Sequence, residues 1–124
     1  MNRLSFSVDI KPKAKERPRF ANGHAYTPKA TKEYEQEIAW AARKVGARPL
    51  HYPCVVDITA TFKAPMKRKS FYCSKRPDVD NLSKAVMDSL NGVAYMDDSQ
   101  IVQLTMSKNY GNANRIEVEI EYLT

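Results

Sequence analysis

Four segments of the chain alternate apolar and polar residues, and this period of two is the pattern of a β-strand that buries one face. The segments are residues 4–10, 54–62, 102–107 and 116–122. Strands of this kind must cover their apolar face with another layer of structure. The alternation therefore predicts a sheet that is packed on one face.

Two further segments repeat apolar residues at helical spacing. The first follows Thr27, a suitable N-cap, begins at Pro28 and continues to Val45. The second follows Asp80, which can cap a helix, and ends at Gly92. The resulting order β-α-β-α-β-β predicts an α+β domain whose mixed or antiparallel sheet carries its helices on one face.

The connections between these elements differ in composition. Residues 11–26 are basic and are broken by prolines and a glycine, which predicts a long loop without helix or strand. Residues 63–77 form a second basic loop in which Phe71 and Tyr72 lie between cations, a composition suited to phosphate contacts and base stacking. Residues 109–114 are rich in Asn and Gly and predict a hairpin turn between the last two strands.

Charge is distributed unevenly along the chain, which carries a net charge of +6. Its 124 residues are the size of one domain, which we place at residues 1–124. Residues 1–77 contain 17 of the 20 Lys and Arg residues, whereas residues 78–124 contain 8 of the 14 Asp and Glu residues. This distribution predicts a surface that binds a polyanion and, separately, a site that tolerates clustered negative charge.

No N-terminal stretch has the form of a secretory signal, and no apolar segment approaches the about 20 residues that a membrane span requires. We therefore expect a cytoplasmic protein without membrane association. Cys54 and Cys73 lack metal-ligand spacing, so in a reducing compartment both are expected to be free thiols. Trp40 falls off the apolar stripe of the first helix, so it either packs under a neighbouring element or belongs to a partner surface.

Acidic residues are concentrated at two places near the second helix. Asp78 and Asp80 are separated by one residue at the helix entry, where extended backbone would direct both side chains to the same side. Asp97 and Asp98 lie just before the third strand. Converging carboxylates without accompanying His or Cys ligands suit a hard cation such as Mg²⁺.

Each of these residues also has an ordinary structural interpretation. Asp80 could be a helix cap, the Asp97-Asp98 pair could be turn residues, and Lys84 and Asp88 could form an exposed ion pair. Their combination directly after a basic aromatic loop favours a metal site. A bound cation would reverse the sign of carboxylates that otherwise repel the DNA attracted by the Lys and Arg residues.

The motif residues together resemble a known signature. Residues 76–84 are RPDVDNLSK, residues 88–90 are DSL, and residues 97–101 are DDSQI. This set resembles the RusA family of Holliday junction resolvases, whose pattern is basic-x-D-x-D-N-L-x-K followed by D-x-L and D-D-x-Q-hydrophobic. The resemblance is strong over residues 76–102. The basic stretch 15–20 also looks like the N-terminal loop of many phage and bacterial members, whereas the connection 91–96 is slightly shorter than in the family's best-known form.

The resemblance implies a RusA-like fold and an endodeoxyribonuclease that depends on Mg²⁺, or on Mn²⁺ in its place. It implies that Asp78, Asp80, Asp97 and Asp98 hold the metal, with Asp98 the better match for the third ligand. It further implies that Asp78, Asp80 and Asp98 act in catalysis together with Lys84. Members of the family resolve four-way junctions as homodimers in recombination and repair, and each subunit nicks one of two symmetric strands to leave 5′-phosphate ends. A homodimer also agrees with the chain's size, because one chain has room for one site and paired cuts need two.

We expect the two basic loops to supply the DNA contacts. The residues concerned are Lys15, Arg17, Arg19, Phe20, Lys67, Arg68, Lys69, Lys75 and Arg76. Two alternatives remain open from the sequence. One is a related metal nuclease that acts on flaps or other branched DNA, and the other is a DNA-binding module whose acidic cluster is structural.

Overall fold

The main sheet has four strands, and its two inner strands each have a hydrogen-bonded neighbour on both sides. The computed structural model describes residues 2–16, 19–66 and 70–124, with Arg19 described by its backbone alone. The strands are β1 (Arg3–Val8), β2 (Arg19–Ala21), β3 (His24–Tyr26), β4 (Cys54–Lys63), β5 (Ile101–Gly111) and β6 (Arg115–Tyr122). The helices are α1 (Lys29–Lys44) and α2 (Val79–Ser89), and a 3-10 turn covers Asp98–Gln100. The predicted α+β class with a mixed sheet and two helices is confirmed.

The predicted hairpin between the last two strands is wrong. The sheet order is β1-β6-β4-β5, in which β4 pairs in parallel with β5 and antiparallel with β6, so β5 and β6 flank β4 and do not pair with each other. The reason is the apolar character of β4. Val56, Ile58 and Ala60 are completely buried, and a strand this deep in the fold needs hydrogen-bonding partners for the backbone groups of both edges, which β5 and β6 supply.

Residues 112–114 cross over the end of β4 rather than forming a simple turn. A side chain at Gly111 would bring its Cβ within 2.6 Å of Thr61 Cγ2, so Thr61 would have to shift to make room for it. The Lys63 backbone N–H donates to Asn114 Oδ1 at 2.9 Å, and the Ala64 N–H donates to the Gly111 carbonyl at 2.9 Å. These two hydrogen bonds fix the crossing against the end of β4.

A second correction concerns residues 11–26, which were predicted to contain neither helix nor strand. Residues 19–26 contain a small antiparallel hairpin, β2–β3. Its turn is Asn22-Gly23, and both residues have positive φ angles, 53° and 77°. An Asn-Gly turn with this conformation matches the twist of paired strands, and the dipeptide was the signal that the prediction overlooked.

Both helices begin at different residues from those predicted. Pro28, rather than Thr27, is the N-cap of α1, and it makes no side-chain capping hydrogen bond. Asp78, rather than Asp80, is the N-cap of α2, so Asp80 lies in the first turn. The boundary of α2 matters for function because it places one acidic residue in extended backbone and the other on the helix.

The helices share one core with one face of the sheet. Ile38 of α1 and Leu82 and Val86 of α2 are completely buried and belong to the same cluster as the inward residues of β4 and β6. The opposite face of the sheet is polar, with Ser5 and Glu119 exposed. Helices on one face only were expected from the alternating pattern of the strands.

Several smaller predictions have clear outcomes in the described residues. Cys54 and Cys73 are both free, as predicted, and the structure shows that both are buried. Trp40 is 62% exposed and does not pack under a neighbouring element, and the Lys44 ammonium lies 5.5 Å from its ring centre. Neither described helix has the length and apolar character needed to cross a membrane.

Candidate active site

The two acidic residues at the start of α2 are exposed and unpaired. Asp78 has extended backbone with φ −72° and ψ 152°, and its carboxylate makes no capping hydrogen bond. Within residues 2–16, 19–66 and 70–124, neither the Asp78 nor the Asp80 carboxylate has a hydrogen bond or a salt bridge. Because these carboxylate oxygens have no partner there, they are available to a ligand.

The backbone before Asp78 is held by a lysine from β5. Lys108 donates from Nζ to the Lys75 carbonyl at 2.6 Å and to the Pro77 carbonyl at 2.9 Å. The peptide bond between Arg76 and Pro77 is cis. The Lys108 ammonium thus fixes the residue that immediately precedes Asp78, and hydrogen bonds from charged donors are among the stronger ones in proteins.

Lys84 belongs to a network that joins three elements. Its Nζ lies 3.8 Å from Asp88 Oδ1, one turn further along α2. Lys15 from the N-terminal loop approaches the other oxygen of Asp88 at 3.3 Å and Glu35 of α1 at 3.4 Å. The Lys15 backbone N–H also donates to the Asn81 carbonyl at 3.1 Å. Asp88 is therefore neutralised mainly by Lys15, which leaves the Lys84 ammonium loosely held and 58% exposed.

The pKa of Lys15 supports its pairing with Asp88. Burial alone would lower the pKa of Lys15, but hydrogen bonds and charge interactions with Asp88 and Glu35 outweigh it and raise the pKa above its ordinary value. The ammonium therefore has a structural role between the loop and both helices. Its predicted contact with DNA stays a prediction.

The second acidic pair divides between two roles. The Asp97 carboxylate accepts a hydrogen bond from the Ser99 backbone N–H at 3.0 Å, and its interactions with the Ser99 side chain and with this backbone N–H lower the pKa of Asp97. Gln100 completes a capping box, since its side-chain oxygen accepts from the backbone N–H groups of Met96 and Asp97. In the described part of the chain the Asp98 carboxylate has no such bond. Asp97 thus caps the turn, and Asp98 remains available, which favours Asp98 as the third ligand.

Gln100 also fixes the position of this turn in the fold. Its side-chain nitrogen donates to the carbonyls of Leu50 and Tyr52 at 2.9 and 2.8 Å. Gln100, the last polar residue of the DDSQI motif, therefore has a structural role: it connects the turn to the chain before β4. Through it, the chain before β4 determines where Asp98 lies.

The acidic pair at the start of α2 and the acidic pair before β5 do not come together as a metal site in the described residues. Asp98 is close enough to the Tyr95 hydroxyl that its charge adds to burial in raising the pKa of Tyr95, and this hydroxyl donates to the Met87 carbonyl at 2.8 Å. Met87 is about two turns along α2 from Asp80. Among the described residues, no group of three or more Asp, Glu, His or Cys side chains has metal-binding geometry. The four-carboxylate set stays a prediction.

The residues predicted to bind DNA are only partly described. Lys75 and Arg76 are exposed and line a groove next to Asp78, and Phe20 is 79% exposed on the β2–β3 hairpin. Arg17, Lys67, Arg68 and Lys69 lie outside the described residues, as does the side chain of Arg19. Sequence reasoning missed Lys108. The sequence did contain one signal: Lys108 continues the alternation of Leu104 and Met106 along β5, so a cation occupies a position where an apolar side chain is expected.

Comparison with known proteins identifies the family of the chain. A family model described as endodeoxyribonuclease RusA matches residues 9–121. The chain belongs to the RusA endodeoxyribonuclease family. Over 97% of this chain and 96% of the relative it is 34% identical to the uncharacterized protein YqaN of Bacillus subtilis (strain 168). It is also 40% identical, over 52% of this chain and 53% of the relative, to a protein of Lactococcus phage r1t named crossover junction endodeoxyribonuclease rusA. The matched range includes Asp78, Asp80, Lys84, Asp88, Asp97 and Asp98.

Proposed function

We propose that this RusA-family chain resolves four-way DNA junctions as a Mg²⁺-dependent homodimer, with each subunit nicking one of two symmetric strands and leaving a 5′-phosphate and a 3′-hydroxyl. The observation that carries the proposal is the pair of exposed, unpaired carboxylates at the start of α2 beside a cationic groove, in a chain of this family. A protein that only bound DNA would gain nothing from free carboxylates there, since they repel phosphates.

The donor set fits Mg²⁺, although the structure does not gather three carboxylates. Mg²⁺ prefers oxygen ligands, keeps several waters and is commonly held by one or two carboxylates together with substrate phosphates. Asp78 and Asp80 supply such a pair, and Asp98 is the candidate third ligand. When bound, Mg²⁺ neutralises phosphate charge and makes the attacking water more acidic.

The chain's own residues contribute positioning and charge. Lys108 holds the backbone from which Asp78 projects, and Gln100 holds the turn that carries Asp98. Lys84 lies one turn after Asp80, and its exposed ammonium can approach the negative charge that develops on the phosphate in the transition state. Each side chain thus has a separate role: two orient the backbone and one stabilises charge.

The decisive assay compares labelled four-way junction, flap and plain duplex, each with Mg²⁺ and with EDTA. The proposal predicts Mg²⁺-dependent symmetric nicks in the junction and ends that a ligase can seal. Cleavage of the flap in preference to the junction would establish the alternative branched-DNA nuclease instead. Binding without cleavage in Mg²⁺ or Mn²⁺ would establish a binding module.

Loss of the Lys108 clamp should reduce cleavage without reducing DNA affinity. In Lys108→Met the carbonyls of Lys75 and Pro77 lose a charged donor, so we expect a stability loss of about 1–2 kcal/mol and a fall in single-turnover rate of about 10-fold. The measurements are single-turnover cleavage and thermal melting, with Lys32→Met on the exposed side of α1 as the matched control. A wild-type rate in folded Lys108→Met would show that the clamp does not position Asp78.

We expect the proposed homodimer to be stable at micromolar concentration. We also expect its cationic surface to make junction binding fall steeply with salt. A protein that makes about 6–10 phosphate contacts loses about 10³- to 10⁵-fold in affinity between about 50 and 200 mM salt. Light scattering at micromolar concentration measures the mass, and junction binding in EDTA at several salt concentrations measures the slope. A monomer that still makes paired nicks, or a flat salt dependence, would contradict this part of the proposal.

A further inference from the structure

A groove of about 730 Å³ lies between residues 11–16 on one side and residues 62–65 and 73–77 on the other. We call it the basic groove, because five cations line it and Glu16 is its one acidic lining residue; the cations are Lys11, Lys13, Lys63, Lys75 and Arg76. None of these five side chains forms a salt bridge with a carboxylate in the described residues. Unneutralised cations around a concave surface attract a polyanion and hold it there.

The floor of the basic groove has a different chemistry from its rim. Phe62 and Tyr110 are half-buried, Cys73 is buried, and all three line the groove. The phosphates and sugars on the outside of a double helix make charged and polar contacts and do not need an apolar floor. An unpaired base does need an apolar floor, because stacking on aromatic rings replaces the stacking that the base has lost.

The size of the groove gives the same answer. Its volume is within the range of about 300–1,000 Å³ typical of sites for small molecules. This is space for a short stretch of one nucleic acid strand.

An aromatic pair continues the floor outward. Phe71 and Tyr72 are 55% and 73% exposed, and their ring centres lie 5.4 Å apart at 75°. The Tyr110 backbone N–H donates to the Phe71 carbonyl at 2.9 Å, which attaches the pair to the edge of the groove. At the other end the lining reaches Pro77, the residue before Asp78.

We infer that the basic groove binds an unpaired stretch of the DNA strand, next to the phosphate that is cleaved at Asp78 and Asp80. Lys13 and Lys63 contact its phosphates, while Tyr110 and Phe62 stack on its bases. The inference rests on the proposed function, since it takes DNA as the substrate. It adds that the site recognises separated strands at a branch point rather than the duplex arms.

The test measures binding in EDTA, so that it does not depend on cleavage. Fluorescence anisotropy compares a labelled oligothymidylate with a blunt duplex of the same length. In Lys13→Gln/Lys63→Gln we expect single-strand affinity to fall about 10-fold or more and the slope of log affinity against log salt to become shallower by about 1.4, since each single-strand contact contributes about 0.7. Duplex affinity should change less than about 3-fold.

Two further variants separate the rim from the floor. Tyr110→Leu keeps an apolar side chain and should lower single-strand affinity by about 5- to 100-fold with an unchanged salt slope, because it removes stacking and no charge. Lys32→Gln/Lys44→Gln removes two exposed cations from α1 and should change neither affinity by more than about 3-fold.

The outcomes distinguish the inference from the proposed function. Equal losses for single strand and duplex in Lys13→Gln/Lys63→Gln would overturn it and make the groove a duplex contact, and so would equal losses in the α1 control variant. Selective loss of single-strand affinity supports it even if the junction assay finds no cleavage, in which case the failure belongs to the proposed nuclease activity.

Discussion

Replacing Asp80 by asparagine should reduce Mg²⁺-dependent junction cleavage by at least about 10³-fold while leaving junction binding unchanged or tighter. The carboxamide keeps the size of the side chain but loses the charge that a hard cation prefers. Removing a negative charge beside DNA also removes repulsion, so affinity should not fall. The same result is expected for Asp78→Asn, because both carboxylates are exposed and unpaired in the described part of the chain.

The matched control is Asp57→Asn, an exposed aspartate on the open face of the sheet. It changes net charge identically and should cut at the wild-type rate. Cleavage is measured in single turnover with saturating junction, and binding is measured separately in EDTA. A rate within a few-fold of wild type in either Asp78→Asn or Asp80→Asn would remove that residue from the site.

Lys84→Ala should lower the single-turnover rate by about 10²- to 10³-fold with little change in binding. This is the scale observed when one preorganised electrostatic donor is deleted from an active site. If Lys84 only paired with Asp88, the variant would lose at most about 0.5 kcal/mol of stability and would cut normally. The structure limits the stability effect further, because Asp88 keeps its closer partner Lys15 at 3.3 Å.

The chain offers a close control for this variant. Lys29 and Glu33 form an i,i+4 pair at 3.9 Å on α1, nearly the same separation as the 3.8 Å between Lys84 and Asp88. Lys29→Ala should therefore match the stability change of Lys84→Ala and leave cleavage intact. Lys84→Arg should restore only part of the rate, because a planar guanidinium does not reproduce a compact ammonium. Wild-type cleavage by folded Lys84→Ala would assign Lys84 to the surface network alone.

Sequence periodicity identified the two helices and the four strands of the main sheet, but not how those strands pair. Alternation identifies β5 and β6 because it depends on each strand's own residues. It says nothing about which strand lies between them, and the hairpin prediction failed because a nearby partner in sequence was preferred to β4. The close approach at Gly111 shows the crossing only once the strands are placed.

The motif residues of the candidate site could be proposed from the sequence, but their geometry could not. The spacing of Asp78, Asp80 and Lys84 follows from the motif, whereas the roles of Asp97 and Gln100 required the observed capping box. Lys108 could not be assigned to the site from local sequence, because its two carbonyl partners lie in a loop 31 and 33 residues away. Long-range hydrogen bonds of this kind depend on tertiary structure.

The sheet order has a consequence for how the chain folds. β6 lies between β1 and β4, so β1 has no hydrogen-bonded neighbour in the sheet until residues 115–122 have been synthesised. A nascent chain ending near Gly111 can form the parallel β4–β5 pair but leaves its first strand detached. Such late closure by contacts of high sequence separation slows folding. It also exposes the apolar face of β1, with Leu4 and Phe6, to other unfolded chains during synthesis.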